Sequence, residues 1–117
     1  MFDFEKLTVY IKARTYNLEM NNFLKAASIS KVQENQIRRA SFSIMLNIAE
    51  GAGRFTKPDR RNFYVIARGS VFECVAAIDF LKHANELTEK DYIKFYSQLE
   101  ELSKMLYSLI KGLQKWV

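Results

Sequence analysis

A stretch of ten mostly apolar residues in the middle of the chain, residues 40–49, limits the possible folds more than any other segment. Its apolar side chains occupy every side of a helical wheel, and a helix that is apolar all round is usually buried all round. Asn47 and Glu50 are polar residues near its end, and a buried polar group needs a hydrogen-bonding partner. We therefore expect this helix to lie at the centre of the fold, covered on every side, with arginines just outside both ends.

The size and composition of the chain indicate one globular domain that spans residues 1–117. Hydrophobic residues make up 49% of the chain, and four glycines with one proline are few, which favours long helices. No apolar run reaches the ~18 residues of a membrane span, and the N-terminus lacks the basic start and apolar run of a signal peptide. A single cysteine cannot form an internal disulfide and fits a reducing compartment. We expect a cytoplasmic protein.

The net charge of +5 arises entirely within residues 31–68. This third of the chain has eight basic and three acidic residues, and the remainder has ten of each. Six of the eight are arginines, whose planar guanidinium groups suit phosphate recognition. A local basic surplus favours a polyanionic partner such as nucleic acid. A solvated surface that keeps the protein in solution would give the same pattern, so both interpretations stay open.

Helical periodicity and capping signals predict the first two helices. The first is expected to run from about residue 3 to about residue 27, because its apolar residues recur at helical spacing. Ser30 followed by Gln33 has the spacing of a capping box and starts the second helix. That helix is expected to end at Gly51 or Gly53, where a glycine adopts the left-handed cap conformation at low cost.

Two further helices are predicted in the second half of the chain. Thr56 caps the third helix, Lys82 and His83 fall in its last turn, and Gly69 inside it is expected to allow close approach of a neighbouring helix. Thr88 caps the fourth helix, whose apolar residues repeat at steps of three and four, as bundle packing requires. Four helices joined by short loops predict an all-α fold, an antiparallel up-and-down four-helix bundle.

Patterns typical of catalysis or metal binding are missing from the sequence. His83 has no glutamate three residues before it, and the adjacent Glu100 and Glu101 point in different directions. Cys74 lies on the apolar stripe of the third helix and is expected to be a buried structural cysteine. Residues 51–54 follow a helix and lack the lysine of a P-loop. We expect no enzyme activity, no metal and no cofactor.

Polar residues within the apolar faces of the second and third helices are expected to form an internal network that fixes helix register. Its predicted members are Asn47, Glu50, Arg68, Ser70 and Glu73. A buried Glu73 would need an arginine partner.

Several aromatic residues lie in or near the basic segment: Phe55, Phe63, Tyr64 and Tyr92. Exposed aromatic rings beside arginines can stack on nucleic-acid bases. Aromatic residues at helical spacing belong more often to the core.

Two segments of the second helix, residues 36–44 and 47–54, carry a family resemblance, as do residues 63–73 and the opening residues 4–10. Over nearly its whole length the chain resembles the small four-helix-bundle proteins encoded in intervening sequences of bacterial 23S rRNA genes. The resemblance implies an antiparallel four-helix bundle that assembles into a ring-shaped homopentamer. The family is also similar to accessory proteins of diversity-generating retroelements, which work with a reverse transcriptase and nucleic acid. The resemblance implies no catalytic residues for this chain.

These observations predict a non-enzymatic, homo-oligomeric helical protein that binds nucleic acid, RNA rather than DNA, through phosphate contacts. The candidate contact residues are Arg38, Arg39, Arg54, Lys57, Arg60 and Arg61. If the arginines of the second helix are buried, the hypothesis depends on the other three residues. The alternative is a scaffold that recruits a protein such as a reverse transcriptase without binding nucleic acid itself, and a third interpretation is a selfish-element product without a partner.

Overall fold

The structure, a computed structural model, describes residues 1–114 and contains four α-helices and one short 3-10 helix. The elements are the 3-10 helix Asp3–Lys6, α1 (Thr8–Ala26), α2 (Lys31–Ala52), α3 (Lys57–His83) and α4 (Glu89–Gln114). No strand occurs within the described residues, so the predicted all-α class is confirmed. The predicted domain, residues 1–117, includes three residues that lie outside the described part. None of the helices described is long and apolar enough to cross a membrane.

Side-chain caps set the starts of three helices where the sequence predicts them. The Ser30 hydroxyl accepts a hydrogen bond from the Gln33 backbone N–H, and the Gln33 side chain accepts one from the Ser30 N–H, both at 3.1 Å. The Thr56 hydroxyl accepts from the Asp59 N–H at 3.3 Å, and Thr88 caps α4 in the same way. Each cap satisfies a backbone donor that the first helical turn leaves unpaired.

The predicted first helix is divided into two elements. Leu7 has an extended backbone, with φ −73° and ψ 127°, and separates the 3-10 helix from α1. The Phe4 ring packs edge-on against the Tyr10 ring at a centroid distance of 4.8 Å. The chain therefore folds its first turn back onto α1, and a single continuous helix from residue 3 is wrong.

The end of α2 differs from the predicted glycine cap. Gly53 has right-handed backbone angles, φ −88° and ψ −5°, and no glycine in residues 1–114 has a positive φ. The N–H groups of Gly53 and Arg54 donate to the carbonyl oxygens of Glu50 and Gly51, each at 3.2 Å. The last turn thus closes by tightening to i→i−3 hydrogen bonds, so the predicted left-handed glycine is wrong.

Close approach of α2 and α3 depends on Gly51 rather than on Gly69. A Cβ atom at position 51 would lie 2.8 Å from Cε1 of Tyr64 and 3.1 Å from Cβ of Phe63. A Cβ at position 69 would meet no atom within 4 Å, and Gly69 is exposed, so the role predicted for it is wrong. The missing side chain at Gly51 lets the two helices meet just before the turn that joins them.

All four helices contribute to one apolar core. Its most deeply buried members include Tyr16, Met20, Ile44, Ile48, Val71, Ile78, Phe95, Leu99, Leu102 and Leu106. Among the described residues, each helix packs against its neighbours in chain order and α4 packs against α1, whereas α1 and α3, like α2 and α4, lie diagonally across the core. The α1–α2 side and the α3–α4 side are therefore opposite faces of the bundle.

Within the single chain, helix α2 is not covered on every side, although its apolar wheel predicts full cover by the chain or by another subunit. Phe42 is 51% exposed and Leu46 is 46% exposed, although Ile44 and Ile48 are fully buried. Because α1, α3 and the 3-10 helix cover only part of α2, its outermost stripe faces solvent. Apolar residues on that stripe lie outside the core of the single chain.

Candidate nucleic-acid interface

The six predicted contact residues lie in two groups at opposite ends of α2. Arg38 and Arg39 belong to its first half, and Arg54 follows its last residue, Ala52. At about 1.5 Å of rise per residue, roughly 20 Å separate Arg39 from the end of the helix. The structure therefore does not bring the six residues together in one site.

Arg38 is tied to its own fold. Its Nε donates to Glu34 Oε2 at 3.0 Å, and its Nη1 donates to the Asn21 side chain on α1. The hydrogen bond from Arg38 holds the pKa of the Glu34 carboxyl below its usual range, assisted by the charge of Lys31. Arg39 is exposed, and within residues 1–114 it forms no hydrogen bond or ion pair. Of this pair, only Arg39 presents its charge to solvent.

The α2–α3 turn forms a compact basic surface. Glu50 Oε2 accepts a hydrogen bond from Arg54 Nη2 at 2.9 Å, and the Arg54 guanidinium lies 4.5 Å from the centre of the Phe63 ring. Arg60 Nε donates to the Arg54 carbonyl oxygen at 2.7 Å. The Arg60 side chain, from the first turn of α3, therefore fixes the backbone of the turn at Arg54. Lys57 is exposed and completes the surface. Because the guanidinium groups are held in place while remaining exposed, they are suited to binding phosphate.

Arg61 lies at the junction between this turn and a groove on the α3–α4 face. The groove has a volume of about 420 Å³, and Arg68, Tyr107 and Lys111 also line it. Arg68 Nε donates to the Ser103 carbonyl oxygen at 3.4 Å. The groove extends the basic surface from the turn along the bundle.

Lys111 and Tyr107 are the residues of this surface that sequence reasoning missed. They lie one helical turn apart on the exposed side of α4, and about fifty positions separate them from Arg61 in the chain. Their four-residue spacing places them on one face of a helix, which is the only sequence signal available. Their proximity to Arg61 follows from the packing of α4 on α3.

The four aromatic residues near the basic segment have different environments. Phe55, at the tip of the α2–α3 turn, is fully exposed, with a relative exposure of 101%. Phe63 lies beneath the Arg54 guanidinium, and Tyr64 is buried against Gly51. Tyr92 is half-buried, and the centre of its ring lies 4.2 Å from the Lys82 ammonium nitrogen. Phe55 alone among the four presents a whole ring to solvent.

The predicted polar network is only partly assembled. Ser43 Oγ lies 2.8 Å from Ser70 Oγ, and Asn47 Nδ2 donates to Ser43 Oγ at 3.0 Å. Arg68 instead lies 4.8 Å from the Phe72 ring centre, between α3 and α4. Glu50 pairs with Arg54 at the surface, as described above, and Glu73 is exposed, so the expectation that Glu73 is buried with an arginine is wrong.

A second buried polar group joins α1, α2 and α3. The Tyr16 hydroxyl lies 3.0 Å from Ser41 Oγ, which lies 3.5 Å from Cys74 Sγ. Asn17 Nδ2 donates to the Ser41 carbonyl oxygen at 2.8 Å. Cys74 is 1% exposed, so its predicted burial is confirmed. Burial raises the pKa of the Cys74 thiol and raises that of the Tyr16 hydroxyl well above its ordinary value.

Comparison with known proteins identifies a family and similar solved structures. A family model described as 23S rRNA-intervening sequence protein matches residues 5–108, which include the whole α2–α3 turn. The chain is also similar to a crystal structure of a protein with unknown function from the S23 ribosomal protein family of Bacteroides thetaiotaomicron VPI-5482. The two share 25% sequence identity with a TM-score of 0.85, and the alignment covers 89% of this chain and 99% of that chain. No curated protein matches the chain.

Proposed function

The chain belongs to the 23S rRNA-intervening sequence protein family, and from this premise we propose that it is a non-enzymatic, oligomeric protein that binds nucleic acid through phosphate contacts. RNA is the preferred ligand in this proposal, because the family's description names a 23S rRNA intervening sequence. The observation that carries the proposal is the exposed basic surface of the α2–α3 turn.

Four basic residues lie on or beside this turn: Arg54, Lys57, Arg60 and Arg61. Glu50 and Asp59 are the acidic residues of the same segment, and Glu50 pairs with Arg54 at the α2 end. A cluster with excess positive charge attracts phosphate groups through electrostatic interaction and counterion release. The α3–α4 groove extends this cluster with Lys111. Arg39 is a separate exposed cation, and Arg38 contributes to the fold through Glu34.

The non-enzymatic part of the proposal is supported by the state of the buried nucleophile. Reactive cysteines are thiolates in electropositive, partly exposed surroundings. Cys74 is instead buried beside Ser41 and Tyr16, and its raised pKa keeps it a neutral thiol at physiological pH. This group therefore serves helix packing rather than catalysis.

The oligomer of the proposal is a ring-shaped homopentamer of antiparallel bundles. Contacts between neighbouring helices support the antiparallel arrangement, because Tyr16 meets Ser41 whereas the later Asn21 meets the earlier Arg38. Exposed apolar residues on two different faces support an oligomer, since a head-to-tail contact between two different faces generates a ring when its rotation closes. Leu18, at 61% exposure, is on the α1–α2 face.

Removing two charges at the turn tests phosphate binding. The double variant Lys57→Gln, Arg60→Gln is expected to bind an RNA oligonucleotide more weakly at low salt. The slope of log K against log salt should become shallower by about 1.4 to 1.8, because each lost phosphate contact contributes about 0.7 to 0.9. Fluorescence anisotropy over a salt series measures both quantities, and competition with DNA of the same sequence measures the preference for RNA.

Lys25→Gln, Lys90→Gln is the matched control. It removes the same charge from exposed positions beyond the opposite ends of α2 and α3. Equal losses of affinity in the two double variants would show that net charge, rather than the turn, determines binding, and would contradict the proposal.

A scaffold that recruits a protein partner, such as a reverse transcriptase, is the second candidate function. The exposed apolar side chains Phe42 and Leu46, one turn apart on α2, favour it, because contiguous apolar surface marks protein interaction sites. In this case a partner would stay bound in a pull-down after nuclease treatment, and the purified protein would not bind RNA above the nonspecific level.

A further inference from the structure

Phe55 is a ring displayed at the tip of the basic turn. Its side chain is fully exposed, so it makes no packing contribution to the core. Isolated exposed apolar residues are common on protein surfaces. The exposure of Phe55 therefore indicates a function only together with the residues around it.

The backbone on both sides of Phe55 is held by hydrogen bonds. The Arg54 N–H donates to the Gly51 carbonyl oxygen at 3.2 Å, and the Arg54 carbonyl oxygen accepts from Arg60 Nε at 2.7 Å. Thr56, the next residue, caps α3 through the Asp59 N–H. Phe55 therefore projects from a fixed four-residue turn, and its place relative to the cations on either side is set by the fold.

The next aromatic residue along the sequence, Phe63, is already engaged. Phe63 is covered by the Arg54 guanidinium, which also bonds to Glu50. The combination of an uncovered ring with flanking cations is the arrangement that single-stranded nucleic acids bind, since bases stack on aromatic rings while phosphates contact basic groups. In a duplex the bases are stacked on one another and do not reach such a ring.

We propose that Phe55 is a base-stacking residue and that the α2–α3 turn selects single-stranded nucleic acid over duplex. An unpaired base stacks on the Phe55 ring, and the phosphates on either side contact Lys57 and Arg60. This inference depends on the nucleic-acid binding proposed above and specifies the class of ligand.

Three substitutions at position 55 test the stacking. Affinities are measured for a 20-nucleotide oligouridine and for a 20-base-pair RNA duplex of mixed sequence, with thermal unfolding as a check of folding for each variant. Phe55→Ala and Phe55→Leu are both expected to weaken binding of the single strand about fivefold or more, the low end for loss of one stacked base. Phe55→Trp keeps a stacking ring and is expected to retain wild-type affinity. Duplex affinity should change by less than about twofold in all three.

Leucine separates stacking from simple apolar contact. If Phe55→Leu binds the single strand as tightly as wild type, the residue acts as an apolar anchor and the inference is overturned. Unchanged single-strand affinity in Phe55→Ala overturns it as well. Binding to phosphatidylglycerol vesicles that requires Phe55, with RNA binding indifferent to it, would assign the ring to a membrane surface instead.

The Lys57→Gln, Arg60→Gln variant distinguishes failure of this inference from failure of the proposed function. Suppose that the double variant weakens binding of both RNAs, while the Phe55 variants leave the ratio of single-strand to duplex affinity unchanged. Phosphate binding then stands and base stacking is wrong. If neither set of variants alters RNA binding, the proposed function itself is wrong.

Discussion

At the scale of single residues, the buried chain of Tyr16, Ser41 and Cys74 links stability to pH. Burial is the main cause of the raised pKa of each ionisable member, and the ordinary values are 10.0 for tyrosine and 9.0 for cysteine. Both groups are neutral in the folded chain and become easier to ionise when unfolding exposes them. Their contribution to stability is therefore complete below pH 9 and declines as the pH rises beyond each ordinary value.

Tyr16→Phe is expected to alter this alkaline dependence. At pH 7 the variant loses the hydrogen bond to Ser41 and should be less stable by about 1 kcal/mol. Above pH 10 the difference should shrink, because only wild type still has a buried hydroxyl that ionises on unfolding. Urea unfolding at pH 7 to 11 measures the free energy of unfolding, and parallel curves for the two proteins would contradict the expectation.

Sequence reasoning succeeds and fails at particular residues for physical reasons. Cys74 is predictable as buried because its position on an apolar stripe is a local pattern. The exposure of Phe42 and Phe55 is not, since an apolar side chain carries no signal of whether a neighbouring helix covers it. The apolar stripe beside Glu73 predicts that this residue joins an internal network, yet its own side of α3 faces solvent.

At the scale of helices, α2 and α3 are positioned by one glycine and two caps. The capping residues Ser30 and Thr56 are readable from sequence because a cap acts on a backbone group three residues away. The role of Gly51 is not readable, since it depends on a ring of another helix. The tertiary partners of a glycine determine whether it separates elements or brings them together.

Gly51→Ala and Gly69→Ala form a matched pair that tests this assignment. Alanine at 51 would overlap Tyr64, and an overpacking cost of about 1 to 3 kcal/mol should exceed the roughly 1 kcal/mol gained in helix propensity. Alanine at 69 meets no atom and should stabilise the protein by up to about 1 kcal/mol. Thermal and urea unfolding measure both effects. If both substitutions raise the free energy of unfolding, Tyr64 moves aside to accommodate the new methyl group and the assignment is wrong.

At the scale of the whole molecule, apolar residues occupy both opposite faces of the bundle. Leu18 and Phe42 border a groove of about 430 Å³ between α1 and α2, and Phe72 and Tyr96 border another between α3 and α4. Arg14 and Arg39 line the first groove, whereas Asp79 and Glu100 line the second. These two grooves are thus complementary in charge as well as apolar.

Phe42→Glu is expected to dissociate the proposed pentamer without unfolding the bundle, because Phe42 is exposed in the single chain. Light scattering coupled to size exclusion should give wild type a mass of about 70 kDa, five times the 13.7 kDa chain. The variant should elute at the mass of one chain with unchanged circular dichroism. A wild-type mass of 13.7 kDa at micromolar concentration would contradict the ring.

The placement of these two faces on opposite sides has a consequence for mixed populations. A subunit damaged on the α1–α2 side still offers an intact α3–α4 side to a normal neighbour. In the proposed pentamer, such a subunit would join an incomplete ring and block its closure, so a minority of damaged chains would remove a larger share of complete rings. Co-expression of Phe42→Glu with wild type would therefore act dominantly, in proportion to the number of subunits that each ring requires.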